Sequence, residues 1–305
     1  RRRSSTFNSA RVDHLYQDPH DPETRLFFHY ADLSDSARLI RLLHQIQPDE
    51  VYNLAGQSHV GVSFQEPEHT AITAGVGAVT LLEAIRTVGI DCRFYQASSS
   101  AMFGATSGAQ DEESPFRPNS PYGAAKLHAH WTTVMYREGY GLFAVSGILF
   151  NHESPRRGET FVTRKVSRAV ARIQAGLEDY LYMGDLDPRR DWGYAPDYVE
   201  GMWRMLQADE PTDYVLATGA AYSVREFVVA AFDHAGLDWE KHVRFDDRYA
   251  RPTETATLVG NAAKAERMLG WTPRVTTERL VQIMVDADIH ALENEGRPWI
   301  DVPET

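Results

Sequence analysis

Cysteine is almost absent from this chain, in which Cys92 is the only one among 305 residues. A single thiol excludes a disulfide framework and a cysteine-based zinc site, and it suits a reducing compartment such as the cytosol. Positive charge is also scarce, because 31 Lys and Arg residues stand against 43 Asp and Glu residues, a net charge of −12. Such a balance argues against nucleic acid or an anionic membrane as a partner, although local arginines can still bind a small anion.

Long apolar runs and glycine-rich turns are missing as well. No stretch approaches the roughly 20 apolar residues of a membrane helix, and no apolar segment follows the basic run 1–5, so we expect neither a membrane span nor a secretion signal. The Gly-rich turn that holds the pyrophosphate in a dinucleotide-binding fold is absent too. Either the chain has another α/β fold, or the first strand, glycine loop and helix, roughly thirty residues, are missing from it. We favour the second interpretation.

Strand-like and helix-like segments alternate along the first half of the chain. This alternation predicts an α/β fold with a Rossmann-like, doubly wound parallel sheet. We expect residues 1–150 to form a dinucleotide-binding domain, and residues 151–305 a smaller substrate domain that crosses back to the sheet once or twice. The predicted strands are Leu26–Tyr30, Val51–Ala55, Arg93–Ser98 and Leu142–Phe150. The first predicted helix is capped by Ser34 and ends at Ile46, and the second spans 69–88. Within the second helix, Gly75 and Gly77 are expected to permit close packing against the sheet. Further helices are predicted from Pro121 and near 161–176, 197–207, 224–236 and 277–293.

Tyr122 and Lys126 are the first candidates for chemistry. Their i, i+4 spacing places both side chains on one face of a helix, and Ser120 followed by Pro121 is a typical helix start. An ammonium group beside a phenol stabilises the phenolate, so a tyrosine in this setting can act as a base. The spacing alone is weak evidence, since it occurs by chance in many helices.

A hydroxyl-rich turn, Ser98-Ser99-Ser100, ends the strand upstream of this helix. A strand ending in hydroxyls before a Tyr/Lys helix resembles the active site of the short-chain dehydrogenase/reductase superfamily. The resemblance implies that Ser99 holds the substrate oxygen, that Tyr122 moves a proton, and that Lys126 activates the tyrosine and binds the nicotinamide ribose.

Longer motifs resemble one family of this superfamily, the GDP-mannose 4,6-dehydratases. The resemblance covers nearly the whole chain, and the nineteen-residue run from Gly147 to Lys165 is its most specific part. The other matching segments are RRSS at 2–5, DHLY at 13–16, VYNLA at 51–55, QSHV at 57–60, SPY at 120–122, RDWG at 190–193, Arg251-Pro252 with Glu254, and LGW at 269–271.

The resemblance implies NADP as cofactor. Arg2 and Arg3 stand where a 2′-phosphate is bound, although a solvated basic terminus is the alternative, and in this family the same segment also reaches a neighbouring subunit. Asp32 and Leu33 are expected near the adenine, or alternatively form a helix-capping turn with Ser34. Gly56 replaces an alanine that is usual in the family, which we expect to be a mild change. The remaining cofactor candidates are Leu54, Ala55, Gln57, Ser58, His69, Tyr122, Lys126, His152 and Arg157.

The implied substrate is GDP-mannose, and no metal site is expected. Its diphosphate suits the guanidinium groups of Arg190 and Arg251, and its guanine suits a carboxylate such as Glu254. The other substrate candidates are Ser58, Ser99, Asn151 and Lys165. We expect a homodimer or homotetramer.

Ala101 is the departure from the family pattern that matters most, because a glutamate usually stands there and removes the proton at C5 of the sugar. Without a carboxylate, oxidation at C4 remains possible, while elimination of water loses a general base. Ala101 is either an engineered change or a natural divergence. The hypotheses are therefore a hydro-lyase in natural or disabled form, a GDP-sugar 4-epimerase or ketoreductase, and an inactive GDP-sugar or NADP-binding protein.

Overall fold

Strands and helices alternate through the first 150 residues of the computed structural model, which describes residues 11–249 and 257–294. The strands, in chain order, are β1 Glu50–Asn53, β2 Arg93–Ser99, β3 Ala144–Leu149, β4 Asn151–Glu153, β5 Leu181–Met183, β6 Arg189–Arg190, β7 Trp192–Tyr194, β8 Tyr214–Leu216, β9 Tyr222–Ser223, β10 Val243–Phe245 and β11 Thr257–Leu258. The α-helices are α1 Ser36–Ile46, α2 Val60–Gln65, α3 Pro67–Thr70, α4 Gly77–Val88, α5 Pro121–Tyr140, α6 Val162–Gln174, α7 Ala195–Gln207, α8 Val224–His234, α9 Trp239–His242, α10 Ala263–Leu269 and α11 Thr277–Glu293.

A four-stranded parallel sheet in the order β1-β2-β3-β8 forms the centre of the fold. Every residue of β3 is buried, because helices cover both faces of the sheet, as parallel sheets require. The α/β fold with a Rossmann-like parallel sheet that the sequence predicts is therefore confirmed. The carboxyl ends of β1 and β2 lie at one edge, which is where parallel sheets of this type bind ligands.

The predicted strand Leu26–Tyr30 is wrong, because no strand is assigned between residues 16 and 49. A strand exists only where a neighbour completes its ladder of backbone hydrogen bonds. Within the described residues, β1 pairs with β2 alone and offers this segment no bonded partner. Phe27 and Tyr30 are accordingly more than half exposed.

Two local predictions around α1 and α4 also need correction. Asp35, not Ser34, caps α1, because its carboxylate accepts a hydrogen bond from the Arg38 amide. Gly75 packs against α5 rather than the sheet, since a Cβ there would lie 3.2 Å from the Ala125 carbonyl oxygen. Gly77 instead leaves room for the side chain of Leu33.

Helices α6, α8 and α11 pack around a second core in the later half of the chain. The largest side chains of this core are those of Trp192, Phe227 and Phe232. Strand β8 lies beyond residue 150 and yet belongs to the main sheet. The division into domains 1–150 and 151–305 stays a prediction.

The continuous helix Pro67–Val88 includes a π-helical segment, Ala71–Val76, between α3 and α4. By length and composition alone, this 22-residue helix could cross a membrane, so the expectation that no stretch approaches such a span is wrong. In this structure the helix packs against α1 and α5 and buries Leu82, Ala84 and Ile85, which explains its apolar composition.

Candidate active site

Helix α5 begins as its sequence predicts. The Ser120 hydroxyl accepts a hydrogen bond from the Gly123 amide at 3.1 Å, and Pro121 occupies the first turn, where its missing N–H costs nothing. Tyr122 and Lys126 follow one turn apart, and their exposed fractions are 9% and 5%. A lysine this buried needs a compensating partner.

The backbone of β2 supplies that partner. Lys126 Nζ donates a hydrogen bond to the Ala97 carbonyl oxygen at 2.8 Å and lies 5.8 Å from the centre of the Tyr122 ring. The ammonium is thereby held between the end of β2 and the Tyr122 ring.

Ser99 and Ala101 lie on the turn that follows β2. The Ser99 hydroxyl oxygen accepts a hydrogen bond from the Ala101 amide at 3.2 Å, which leaves its own proton available to a substrate oxygen. This turn touches the start of α5, because a Cβ on Gly123 would lie 2.5 Å from the Ala101 carbonyl oxygen. The structure thus brings the Ser99–Ala101 turn against the helix that carries Tyr122.

The exposed segment Leu54–Ser58 leaves the carboxyl end of β1, beside the end of β2. Gly56 has φ +124°, and a Cβ there would lie 3.1 Å from the Cα atom of Ala74. An alanine would be strained in this conformation, so the exchange of the family's alanine for Gly56 is not as mild as we expected. Gln57 packs inward, with its amide donating to Thr70 Oγ1 and to the His59 carbonyl oxygen.

Asp32 forms the turn before α1. Its Oδ1 accepts hydrogen bonds from the Ser34 amide at 3.0 Å and the Ser34 hydroxyl at 2.7 Å, which close the turn, while the cap of the helix itself is Asp35. Leu33 packs on Gly77 in the core between α1 and α4. His69 is exposed on α3.

His152 lies on β4, immediately after the end of β3. Its Nδ1–H donates to the Phe150 carbonyl oxygen at 2.9 Å, and its ring stacks on Tyr198 with centroids 5.0 Å apart. Enclosure by the protein lowers the pKa of His152 to about 4, so the ring is neutral near pH 7. Arg157 pairs with the buried Glu153 at 3.1 Å and covers the Phe161 ring.

Apart from Ser58 and Ser99, the described substrate candidates fall in two places. Asn151 pairs with Trp192 across β4 and β7, and Arg190 precedes that tryptophan by two residues. Lys165 lies in a groove of about 560 Å³ between α6 and β5, where its Nζ is 3.4 Å from the centre of the Tyr249 ring. Neither Asn151, Arg190 nor any catalytic candidate lines this groove.

Four candidates, Arg2, Arg3, Arg251 and Glu254, lie outside the described residues. Among the described residues, no group of three or more His, Cys, Asp or Glu side chains could hold a metal ion.

Sequence reasoning missed a pair of buried amides below the site. The Asn53 amide donates to Gln96 Oε1 at 2.8 Å, and both residues are almost inaccessible to solvent. It also missed Asp191, which lies between β6 and β7. Its carboxylate accepts hydrogen bonds from Thr218 and Gly219, which follow β8, and from Gly260, which follows β11. For Gln96, the sequence did contain a signal: a polar residue in the middle of an apolar strand, directly after Phe94 and Tyr95.

A parallel α/β sheet, a Tyr/Lys helix and a serine at the end of the adjoining strand define the class as an extended short-chain dehydrogenase/reductase. Comparison with solved structures agrees. RMD from Pseudomonas aeruginosa, complexed with NADPH, has a TM-score of 0.78 at 26% identity, covering 86% of this chain and 87% of that one. The DesIV double mutant (dTDP-glucose 4,6-dehydratase) from Streptomyces venezuelae, with NAD and DAU bound, has the same TM-score and identity, covering 94% of this chain and 83% of that one.

Within this class, the family model for GDP-mannose 4,6 dehydratase matches residues 1–284. GDP-mannose 4,6 dehydratase 1 of Arabidopsis thaliana is 54% identical over 299 residues, which are 96% of this chain and 83% of the relative. GDP-mannose 4,6 dehydratase of Homo sapiens is 49% identical over 312 residues, 95% of this chain and 84% of the relative. The chain therefore belongs to the GDP-mannose 4,6-dehydratase family of hydro-lyases.

Proposed function

We propose that this chain acts on GDP-mannose by NADP-dependent internal hydride transfer and loss of water, giving GDP-4-keto-6-deoxymannose, and that Ala101 makes the loss of water slow. The observation that carries the proposal is the buried Tyr122–Lys126 pair beside the Ser99–Ala101 turn. Family membership supplies the substrate class, because the relatives are named for GDP-mannose.

The end of β1 fits a nicotinamide dinucleotide. Ala55 and Gly56 present a short side chain and bare backbone beside the end of β2, where the Lys126 ammonium is held, and the exposed Leu54 precedes them. When bound, NADP⁺ accepts a hydride from C4 of the sugar and returns it to C6. Arg2 and Arg3 favour NADP over NAD, because guanidinium groups suit a 2′-phosphate.

The protein's own groups manage the protons of the oxidation step. Tyr122 takes the proton of the sugar 4-hydroxyl, while the Ser99 hydroxyl donates a hydrogen bond to the same oxygen. Lys126, whose ammonium lies beside the Tyr122 ring, would hydrogen-bond the ribose hydroxyls of the cofactor.

The elimination step lacks its base. The new 4-ketone acidifies the C5 proton, but the methyl group of Ala101 cannot accept it. A positioned general base contributes a factor of about 10²–10⁴, so we expect elimination to be slower by that order. Oxidation at C4 does not need position 101.

The test is incubation with GDP-mannose and NADP⁺, followed by mass analysis of the sugar nucleotide. We expect Ala101→Glu to raise the rate of dehydrated product by about 10²-fold or more, because a carboxylate again faces C5. Ala105→Glu, on the exposed loop that follows, is the matched control for added charge, and we expect it to leave the rate unchanged.

Fast dehydration by the unmodified chain would show that another group serves as base. No dehydration by Ala101→Glu, in a protein that binds both ligands, would overturn the proposal. An epimerised or reduced sugar would then support the epimerase or ketoreductase hypothesis, and unchanged GDP-mannose would support the binding protein.

A homo-oligomer, dimer or tetramer, is part of the proposal. Exposed residues recur on α5 at alternating spacings of four and three, which is the repeat of a helix packed against another helix. They are Ala124, His128, Trp131, Met135 and Glu138, and we call this set the outer face of α5. Trp131 and Met135 are more than half exposed there, as apolar side chains at an interface are before assembly. The buried thiol of Cys92 is compatible with the cytosolic location that we also propose.

A further inference from the structure

Asn53 and Gln96 form a buried polar link between the two strands that end at the candidate site. They are directly opposite each other in the register of β1 and β2, with exposed fractions of 4% and 1%. Buried amides weaken a core unless their hydrogen bonds are made, so two of them side by side call for an explanation.

The link continues from the amides to Lys126. Gln96 Nε2 donates a hydrogen bond to the Ala97 carbonyl oxygen at 3.0 Å. The same oxygen accepts the Lys126 ammonium at 2.8 Å. At the other end, Asn53 Oδ1 faces the Ala55 amide at 3.4 Å, in the segment proposed to border the cofactor.

Each amide in this link has one workable orientation. The Ala97 carbonyl can only accept, so Gln96 must direct its NH₂ group toward it and its oxygen toward Asn53. Asn53 must then donate to Gln96, which turns its own oxygen toward the Ala55 amide. The series Ala55–Asn53–Gln96–Ala97–Lys126 is therefore directional, and reversing one member breaks its neighbours.

We propose that Gln96 and Asn53 are positioning residues for Lys126. They act through the Ala97 carbonyl oxygen, which accepts hydrogen bonds from both Gln96 and Lys126, and so fix the ammonium relative to the end of β1. This inference rests on the proposed function of Lys126. Losing the Gln96 donor leaves the carbonyl to Lys126 alone, so the ammonium moves toward β2 and away from the phenol and the ribose site.

Gln96→Met tests the link with a side chain of similar length that cannot hydrogen-bond in this way. We expect weaker NADP⁺ binding by about 3- to 10-fold in calorimetry. We also expect kcat for C4 oxidation to fall while the KM for GDP-mannose stays unchanged, because the ammonium no longer lies beside the tyrosine and the ribose site. A residue that only fills the core would change stability without this split between kcat and KM.

Asn53→Asp is the second variant, and it nearly preserves shape. A carboxylate cannot donate to Gln96 Oε1, so Gln96 turns its NH₂ group toward position 53 and loses the Ala97 bond. We expect the same changes as for Gln96→Met. The double variant should bind NADP⁺ little more weakly than either single variant, because both substitutions break the same series of hydrogen bonds.

Ser146→Ala is the matched control. Ser146 lies opposite Gln96 on β3, is fully buried, and its hydroxyl makes no hydrogen bond to any residue that the structure describes. We expect unchanged cofactor affinity and an unchanged kcat. An equal loss in this control, or unchanged affinity and kcat in both Gln96→Met and Asn53→Asp, would overturn the inference.

The two proposals fail in different ways. Absence of hydride transfer in the unmodified chain contradicts the proposed function, and the NADP⁺ affinities of the variants then decide the positioning role. Absence of NADP⁺ binding in the unmodified chain overturns both.

Discussion

Tyr122 is supported by a helix cap and by a lysine one turn away. Its helix is fixed by the Ser120 cap, and its buried flank faces Lys126, which is held by a backbone carbonyl rather than by a side chain. A backbone acceptor does not ionise, so it keeps its hydrogen bond to the lysine across the pH range in which the fold is stable. The Tyr122 hydroxyl can therefore be removed by mutation without disturbing the Ser120 cap or the Lys126 hydrogen bond.

Tyr122→Phe tests this separation. We expect hydride transfer from GDP-mannose to fall by at least 10²-fold, because the ring remains and only the proton acceptor is lost. GDP-mannose affinity should change little. The rate is measured by absorbance of the reduced cofactor, and the affinity by calorimetry.

Reduced cofactor forming at a comparable rate in Tyr122→Phe would remove this residue from the mechanism. Tyr136→Phe provides a control on the same helix, since the Tyr136 hydroxyl binds Glu83 instead of facing the site.

At the scale of elements, β4 carries a titratable group into the interior. The Phe150 carbonyl favours protonated His152, but enclosure and the nearby Arg157 oppose it more strongly, which lowers the pKa of the ring from 6.5 to about 4. Above pH 6.5 the histidine is neutral in both the folded and the unfolded protein. Between pH 6.5 and 4 only the unfolded chain binds the proton, so this residue costs stability as the pH falls.

His152→Asn should reduce that acid sensitivity. The asparagine NH₂ can still donate to the Phe150 carbonyl, but it does not titrate. Between pH 7.5 and pH 5, we expect the free energy of unfolding to fall by about 2 kcal/mol more in the unmodified chain than in the variant. Urea unfolding at the two pH values gives the difference, and equal losses would contradict the burial of a neutral ring.

Elements with local signals were predicted well from the sequence. The start of α5 at Ser120-Pro121 and the spacing of Tyr122 and Lys126 involve only neighbours within one or two turns. The helix and its catalytic candidates could therefore be predicted directly from the sequence. The segment 26–30 could not, because a strand is decided by a partner elsewhere in the chain. Gln96 was overlooked for the same reason, since its meaning depends on Asn53, 43 residues away.

At the scale of the whole molecule, two neighbouring helices expose apolar side chains within the described part of the chain. The outer face of α5 carries Trp131 and Met135, and the helix packed beside it exposes Ile72 and Val76. Apolar side chains that alternate at spacings of four and three residues favour contact with another helix. A second copy of this chain presents the same outer face of α5.

Trp131→Glu with Met135→Glu should dissociate the proposed oligomer. Two carboxylates on each copy would meet the same charges across a symmetric contact, which is unfavourable when desolvated. We expect sedimentation analysis to show a mass reduced by half. Trp203→Glu is the matched control, because Trp203 is equally exposed on α7, away from this face. Unchanged mass in the double variant would place the interface elsewhere.

The contact between Gly123 and the Ala101 carbonyl has a consequence for function as well as for packing. It fixes the backbone at position 101 against the helix that bears Tyr122, whatever side chain position 101 carries. We therefore expect replacements at 101 to leave the backbone of this turn in place. Under the proposed function, a single codon then decides whether reversible oxidation at C4 is followed by loss of the C6 oxygen, and the rest of the fold stays as it is.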